Sequence, residues 1–599
     1  MSFVSFNIFR RMMMCFGMLL ATALLHAQTP TIFFTDLTSG PATGGEGGAG
    51  TYVTVYGNFF GVTPGTVTIG GVNATNVKSW GSPWLWYQKL TFQVPGNVAQ
   101  GATSIQVGTS VGKSNTVAFT VRAGNIYCVS TAGSDSSVGK FPSCWQSIPK
   151  ASSTMLAGDI TYVESGVTQS GIDNYNASLA IDGGGTSSSP IALVAYPGAT
   201  VTIGNPGASY AIRTPAISGT KDYVVLAGLT LVGQDALDLV NNNGWRVVAN
   251  DLSCPQGSGQ SACLHTDSNT NLYVYGNRVH NVGDQAGAID KYFHAVYFTT
   301  NTNSVWMGWN EVAPNPTRST TSGGCRAIQF YSTGGSDQFD LHVFSNLVHD
   351  SICDGINFAT VDPSKGTVEA YDNVVYHVGT GPDPYDGSSN YSCLLANSSG
   401  SPSATVKLYN NSFYDCGSRG TSDAGAIAAY TPVQATNNIF SLLSGEVYVN
   451  PSAGSAALSG SNNIWFGSQD VPSTTSSNKT SDPLFVSAST ANFALQAGSP
   501  AIGGGVNIGL TTDFAGHTRP VGVQIIGALS SNSTAPAKSA CDLNGDGAVN
   551  TLDVTVAVDQ VLGRTACSNA DLIGNGTCTV VDIQRIVNAT NGLSCRLGK

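Results

Sequence analysis

His294, Arg326 and Asp354 occupy the same place in three successive copies of one strand pattern, each two residues before an apolar position held by Val296, Ile328 and Ile356. One residue after those apolar positions stand Tyr297, Gln329 and Asn357. Charged residues are only 10% of the chain, against roughly 25% in an ordinary globular protein, so a base, a cation and a carboxylate in one register are informative. Elimination next to a carboxylate needs a base, and a cation that stabilises the charge developing on that carboxylate. His294 or Lys291 would be the base and Arg326 the cation, with Asp354 orienting Arg326 or helping to hold a calcium ion. His349 is counted with these candidate catalytic groups, and Tyr297, Gln329 and Asn357 would bind substrate beside them. Acetal hydrolysis instead needs two carboxylates about 5 to 9.5 Å apart, for which Asp354 would have to work with Asp350 or Asp290. A third reading assigns no chemistry: Arg326 and Asp354 pair between strands for structure, and the histidines cap turns.

These side chains meet only if successive stretches of chain stack in register. From Tyr273 to Phe440 a short phrase recurs, as in Gly276-Asn277-Arg278-Val279, Trp309-Asn310-Glu311-Val312 and Ser345-Asn346-Leu347-Val348. It returns around Asn373, Asn411 and Asn438, so the asparagines recur every 27 to 38 residues, a solenoid period with loops of variable length. Each copy follows an alternating strand such as Leu272-Tyr273-Val274-Tyr275. Strands of period two joined by turn-forming Asn and Gly predict a parallel β-helix in which each coil rests on the last. Asn suits the inward turn because its amide can bond the same residue one coil away, and because it tolerates left-handed backbone. With coils ~4.8 Å apart, His294, Arg326 and Asp354 form a column, with the row Tyr297, Gln329 and Asn357 beside it.

A net charge of −11 and a pI near 5.0 exclude nucleic acid as a partner, which would need a basic face. Residues 1–27 carry Arg10 and Arg11, an apolar run from Met12 to Leu25, and a small residue at Ala27. This is the outline of a bacterial-type signal peptide, too short to span a bilayer, and it predicts a secreted, extracellular or cell-surface protein. Of 13 cysteines, Cys15 falls in that leader, and the even remainder predicts disulfides. Cys128 is expected to pair with Cys144, Cys254 with Cys263, Cys325 with Cys353 across adjacent coils, and Cys393 with Cys416. The pairing among Cys541, Cys567, Cys578 and Cys595 is open.

Residues 30–122 alternate short strands with Gly, Pro and Asn, which predicts a small β-sandwich. Val55-Tyr56-Gly57-Asn58-Phe59-Phe60 and Val67-Thr68-Ile69-Gly70-Gly71-Val72 resemble IPT/TIG immunoglobulin-like modules. Trp80, Trp84 and Trp86 either fill this sandwich and its loop or form a sugar-stacking platform. Tyr127-Cys128-Val129-Ser130 follows, then a helical stretch around Ser143 to Leu156 and the strand at Ile160-Thr161-Tyr162-Val163. With Pro190-Ile191-Ala192-Leu193-Val194-Ala195-Tyr196-Pro197-Gly198 and the closing Asp482-Pro483-Leu484-Phe485, residues 125–530 resemble secreted right-handed β-helix proteins of the pectate-lyase-like superfamily. That resemblance implies a helix capping the open end of the solenoid, and action on an extracellular polysaccharide, a lyase acting on an acidic glycan first and a glycoside hydrolase second. A noncatalytic adhesive or spacer solenoid is the competing class.

Residues 531–540 read as a linker. Beyond it, 541–597 holds a twelve-residue calcium loop with Asp542, Asn544, Asp546, Ala548, Asn550 and Asp553 at places 1, 3, 5, 7, 9 and 12, followed at once by an apolar helix pattern. A second loop has Asp571, Asn575 and Asp582 at places 1, 5 and 12, but Ile573 at place 3 offers no oxygen. The duplicated loop-helix unit resembles a type I dockerin, which implies calcium and a cohesin-like partner protein.

Overall fold

The computed structural model describes residues 28–181, 183–214, 221–257, 262–284, 289–290, 292–316, 323–334, 336–381, 390–467, 469–520, 522–530, 539–544, 549–590 and 595–598. The leader, Lys291, most of the linker, and Asp546 and Ala548 of the first calcium loop lie outside the described residues. No helix among the described residues is long and apolar enough to cross a membrane.

Thirteen, eleven and nine parallel strands form three sheets in which every neighbour along a sheet comes from the next coil. The protein is therefore a parallel β-helix, and the stacking inferred from the asparagine phrase holds. Asn277 Nδ2 donates to Asn310 Oδ1 at 3.1 Å, Asn310 to Asn346 at 2.9 Å and Asn346 to Asn373 at 3.0 Å. The ladder runs on through Asn411 and Asn438 and is longer than its six expected members, with Asn250 before it and Asn463 after it. One detail differs from expectation. The left-handed residue is the one before each ladder asparagine: Trp309, Ser345, Asp372, Asn410 and Asn437 have φ between 49° and 58°. The ladder amide is thereby freed to span coils instead of relieving its own backbone. Inside the helix the coils stack apolar side chains, for example Phe298, Phe330 and Phe358 with centroids 4.6 and 5.3 Å apart.

The N-terminal segment forms two facing sheets, one of Thr31–Thr35, Tyr52–Asn58, Tyr87–Gln93 and Val77–Trp84, the other built around Gly101–Gly108 and Val117–Val121. It shares one apolar core with the first coils, including Tyr52, Phe92, Tyr162, Val194 and Val225. Two of the three tryptophans serve this junction, Trp84 Nε1 donating to the Gly276 carbonyl at 2.8 Å and Trp86 stacking on Phe514 at 4.6 Å, while Trp80 Nε1 donates to the Phe60 carbonyl at 3.0 Å within the N-terminal sheets. Gly276 is required there, since it has φ 66° and a Cβ would meet Phe34 at 2.4 Å. The capping helix is shorter than the expected stretch. It spans Ile148–Thr154 with Ser147 as its N-cap, because Cys144 is bridged to Cys128 and Trp145 pairs with Val129 in extended form.

After the last coil, Phe485, Phe493, Phe514, Ile525 and Ile526 cover the second sheet by packing on Leu347, Val374, Ile439 and Ile464. All four disulfides expected in the solenoid are present, and the open set resolves as Cys541–Cys595 and Cys567–Cys578. The C-terminal helices Thr551–Val561 and Val580–Thr590 pack on each other around Ala557, Leu572 and Ile586.

Candidate functional site

The third sheet carries the site, and its register matches the alignment of the sequence. Val296 pairs with Ile328, Ile328 with Ile356 and Ile356 with Leu394, which sets Tyr297, Gln329 and Asn357 in one outward row. Strand alternation gives His294, Arg326 and Asp354 the inward parity of those apolar residues. The column is accordingly buried: Asp354 has no exposed surface, His294 is 2% exposed, and 13% of the Arg326 side chain reaches solvent.

A groove of about 660 Å³ opens on this face, lined by His294, Arg326, Gln329 and Asn357 and by four tyrosines, Tyr292, Tyr297, Tyr331 and Tyr430. Asp354 does not line it. Its Oδ2 accepts from Arg326 Nε at 3.2 Å and Asn357 Nδ2 at 2.8 Å, and its Oδ1 from the Ser392 N–H at 3.1 Å. Both carboxylate oxygens thus accept hydrogen bonds, one of them from Arg326. Burial pushes its carboxyl up, Arg326 pulls it back, and the balance lies at about 6. The same burial, with the positive Arg326 and His265 nearby, holds the His294 imidazole well below its ordinary value, so it is neutral near pH 7. Three buried atoms converge here without partners: His294 Nδ1, Gln329 Oε1 and Asn357 Oδ1. Buried polar atoms without partners are uncommon and call for a ligand or an ordered water.

Two expected members fall elsewhere. Lys291 lies outside the described residues. His349 belongs to the strand Leu347–Ser351 of the second sheet, one corner away from the groove. Its Nδ1 meets Asp350 at 2.8 Å and its Nε2 meets Glu311 at 3.4 Å, and Arg278, itself paired with Asp251, lies beyond Glu311. His280 joins the same network through Asp251. This also removes Asp350 as a hydrolytic partner of Asp354; the side chain of Asp290 lies outside the description. Burial opposes charge on His349, but Asp350 and Glu311 raise it to about 9 from 6.5. A histidine raised in this way stabilises the fold fully below 6.5 and loses that contribution as pH climbs through about 9. The melting temperature is expected to fall across this window, by a stability loss on the order of 3 kcal/mol. The fall should flatten in His349→Gln, and an unchanged slope in that variant would contradict the assignment.

The outward row extends beyond its expected start. Tyr297 pairs with His265, His265 with Asp238 and Asp238 with Arg213. His265 Nδ1 lies 2.8 Å from Asp238 Oδ1, and Arg213 Nε lies 2.8 Å from Asp238 Oδ2. Sequence reasoning missed this trio because the alignment began at Tyr273, although Ala249-Asn250-Asp251-Leu252 is an earlier copy of the turn phrase that would have carried it back.

No family model matches the sequence, and no curated protein matches it. Among solved structures the chain is similar to pectate lyase Pel9A, with a TM-score of 0.47 and 13% identity over 68% of this chain and 96% of that one. It is also similar to XylC in its complex with xylose (0.38, 10%, 67% and 98%) and to a rhamnogalacturonan lyase (0.30, 14%, 61% and 92%). At these identities the likeness is one of chain path, and the chemistry has to be read from this chain's own side chains.

In the C-terminal loops, Asp553 Oδ1 accepts the Leu543 and Asn544 N–H groups and its Oδ2 that of Asn550. In the second loop Asp571 accepts from Gly574, Asn575 and Gly576, and Asp582 from Ile573 and Thr579. The first loop offers side-chain oxygens at places 1, 3, 9 and 12 among its described residues, a donor set that fits a hard cation, and the second lacks one at place 3.

Proposed function

We propose that the protein is a secreted carbohydrate-active enzyme that cleaves an acidic polysaccharide by β-elimination in the groove of the third sheet. The observation that carries this reading is the composition of the groove wall: among its described lining residues Arg326 alone bears a fixed charge, and none of them is a carboxylate. A guanidinium presents its donors in a planar fork whose geometry suits a sugar carboxylate. The four tyrosines give apolar faces with polar rims for sugar rings. The Gln329 and Asn357 amides that line the groove suit sugar hydroxyls, and the neutral His294 imidazole suits a proton to be removed. In the reaction, Arg326 would stabilise the charge that spreads onto the carboxylate as His294 takes the neighbouring proton. Hydrolysis by two carboxylates has no such pair among the described residues of this wall, and a concave, tyrosine-lined surface is unlike a flat adhesive face. Six disulfides suit an oxidising compartment.

The test is incubation with a panel of uronic-acid polymers while following both the absorbance of unsaturated ends and total reducing ends. Elimination raises the two together. Reducing ends without absorbance would mean hydrolysis, and neither signal on any acidic polymer would remove the proposal.

The first C-terminal loop is proposed to hold one calcium ion through Asp542, Asn544, Asp546, Asn550, Asp553 and the Ala548 carbonyl. Calorimetric titration is expected to show one site that Asp542→Ala abolishes and Asp571→Ala leaves intact. Two equal sites, or none, would overturn this.

A further inference from the structure

The proposed elimination assigns an acceptor for the proton but no donor for the departing oxygen. Beyond Tyr297 the same outward row holds the trio of His265, Asp238 and Arg213. The Tyr297 ring lies between two imidazoles, with its centroid 5.1 Å from that of His294 and 5.7 Å from that of His265. His265 is the more accessible of the two, with 19% of its side chain exposed. Its Nδ1 faces Asp238, so its Nε2 is the atom left to meet a ligand.

We propose that His265 is the general acid of this reaction, and that Asp238 and Arg213 are positioning residues that fix its ring and its charge. The inference rests on the elimination reading above. In the step, the C–H bond next to the carboxylate breaks, its proton goes to the His294 imidazole, and its electron pair becomes the new C=C bond. The C–O bond on the adjacent carbon breaks, its electron pair leaves with the oxygen, and that oxygen takes the Nε2 proton of His265. Water then returns a proton from His294 to solvent and restores one to His265, so no co-reactant is needed.

The electrostatics agree with this division. Burial alone would lower His265, but the bond to Asp238 and the charges of Asp235 and Asp267 raise it, while burial, Arg326 and His265 itself lower His294. Adjacent groups driven apart in this way are the arrangement that lets one act as acid and the other as base at one pH. Activity should therefore be bell-shaped, rising with pH as His294 loses its proton and falling at higher pH as His265 loses its own.

The experiment compares wild type, His265→Gln, Asp238→Asn and Arg326→Ala on an acidic polymer and on a uronate whose departing oxygen carries a nitrophenyl group, with melting curves recorded for each. His265→Gln is expected to lower kcat on the polymer about 10²- to 10⁴-fold. The nitrophenyl substrate needs no acid, so its loss should be under about tenfold, whereas Arg326→Ala loses both. Asp238→Asn should move the alkaline limb of the pH profile toward lower pH, a change that a purely structural role would not produce. Equal losses on both substrates for a folded His265→Gln, or a polymer rate within about threefold of wild type, would overturn the inference while leaving the elimination reading standing. Absence of elimination by wild type on either substrate would overturn both.

Discussion

Arg326→Ala is expected to lower kcat/KM on an acidic polymer at least about 10³-fold, since the cation acts on charge that exists mainly in the transition state. The same change strands Asp354, which has no exposed surface and keeps only Asn357 and the Ser392 N–H as partners. Breaking a buried pair from one side costs roughly 3–5 kcal/mol, so this variant should also melt lower. The two effects separate in the double variant Arg326→Ala with Asp354→Asn, where no buried charge remains. That protein should regain most of the stability and none of the activity. If it regained activity, the pair would be structural and the groove would need another cation. Measured kcat/KM beside melting curves for the three variants decides the matter.

The largest expected effect on folding is at the centre of the asparagine ladder. In Asn346→Leu the Asn310 N–H loses its acceptor, the Met307 carbonyl loses its Asn346 donor, Asn310 Nδ2 keeps only the Val274 and Gly308 carbonyls, and Asn373 Oδ1 loses one of two donors from Asn346. Each buried polar group left unsatisfied costs roughly 1–3 kcal/mol, so a total of roughly 2–6 kcal/mol is expected in denaturant unfolding. Asn463, the last described rung, bonds back to Asn438 and Ala435 and shows no onward asparagine. Its substitution by Leu should cost roughly 1–2 kcal/mol less. Equal, small losses at both positions would mean that the ladder follows the stacking and does not enforce it.

The winding of the chain was legible because period-two strands and a repeated turn phrase fix register before any contact is known. Val296, Ile328, Ile356 and Leu394 fall into one file by counting alone, and the pairing agrees. The same counting could not separate Asp354, which is sealed in, from His294 and Arg326, which share its place in the strand pattern and line the groove. His349 shares a coil with the candidate column, but sharing a coil ignores the corner between Ser351 and Ile356, where the chain turns from the second sheet to the third. Its position three residues after Asn346 was the better guide, since every strand that follows a ladder asparagine belongs to the second sheet. The trio of Arg213, Asp238 and His265 lay outside the stretch where the phrase is most regular. The covering of the second sheet by residues 485–530 could not be read from alternation, because that segment has little regular structure of its own.

The most direct test is the crystallographic position of an oligo-uronate bound to an inactive His294→Gln variant. A uronate carboxylate within hydrogen-bonding distance of the Arg326 guanidinium, with its ring against Tyr297 or Tyr331, is the predicted result. An oligosaccharide seated on another face, with its carboxylates remote from Arg326, would contradict it.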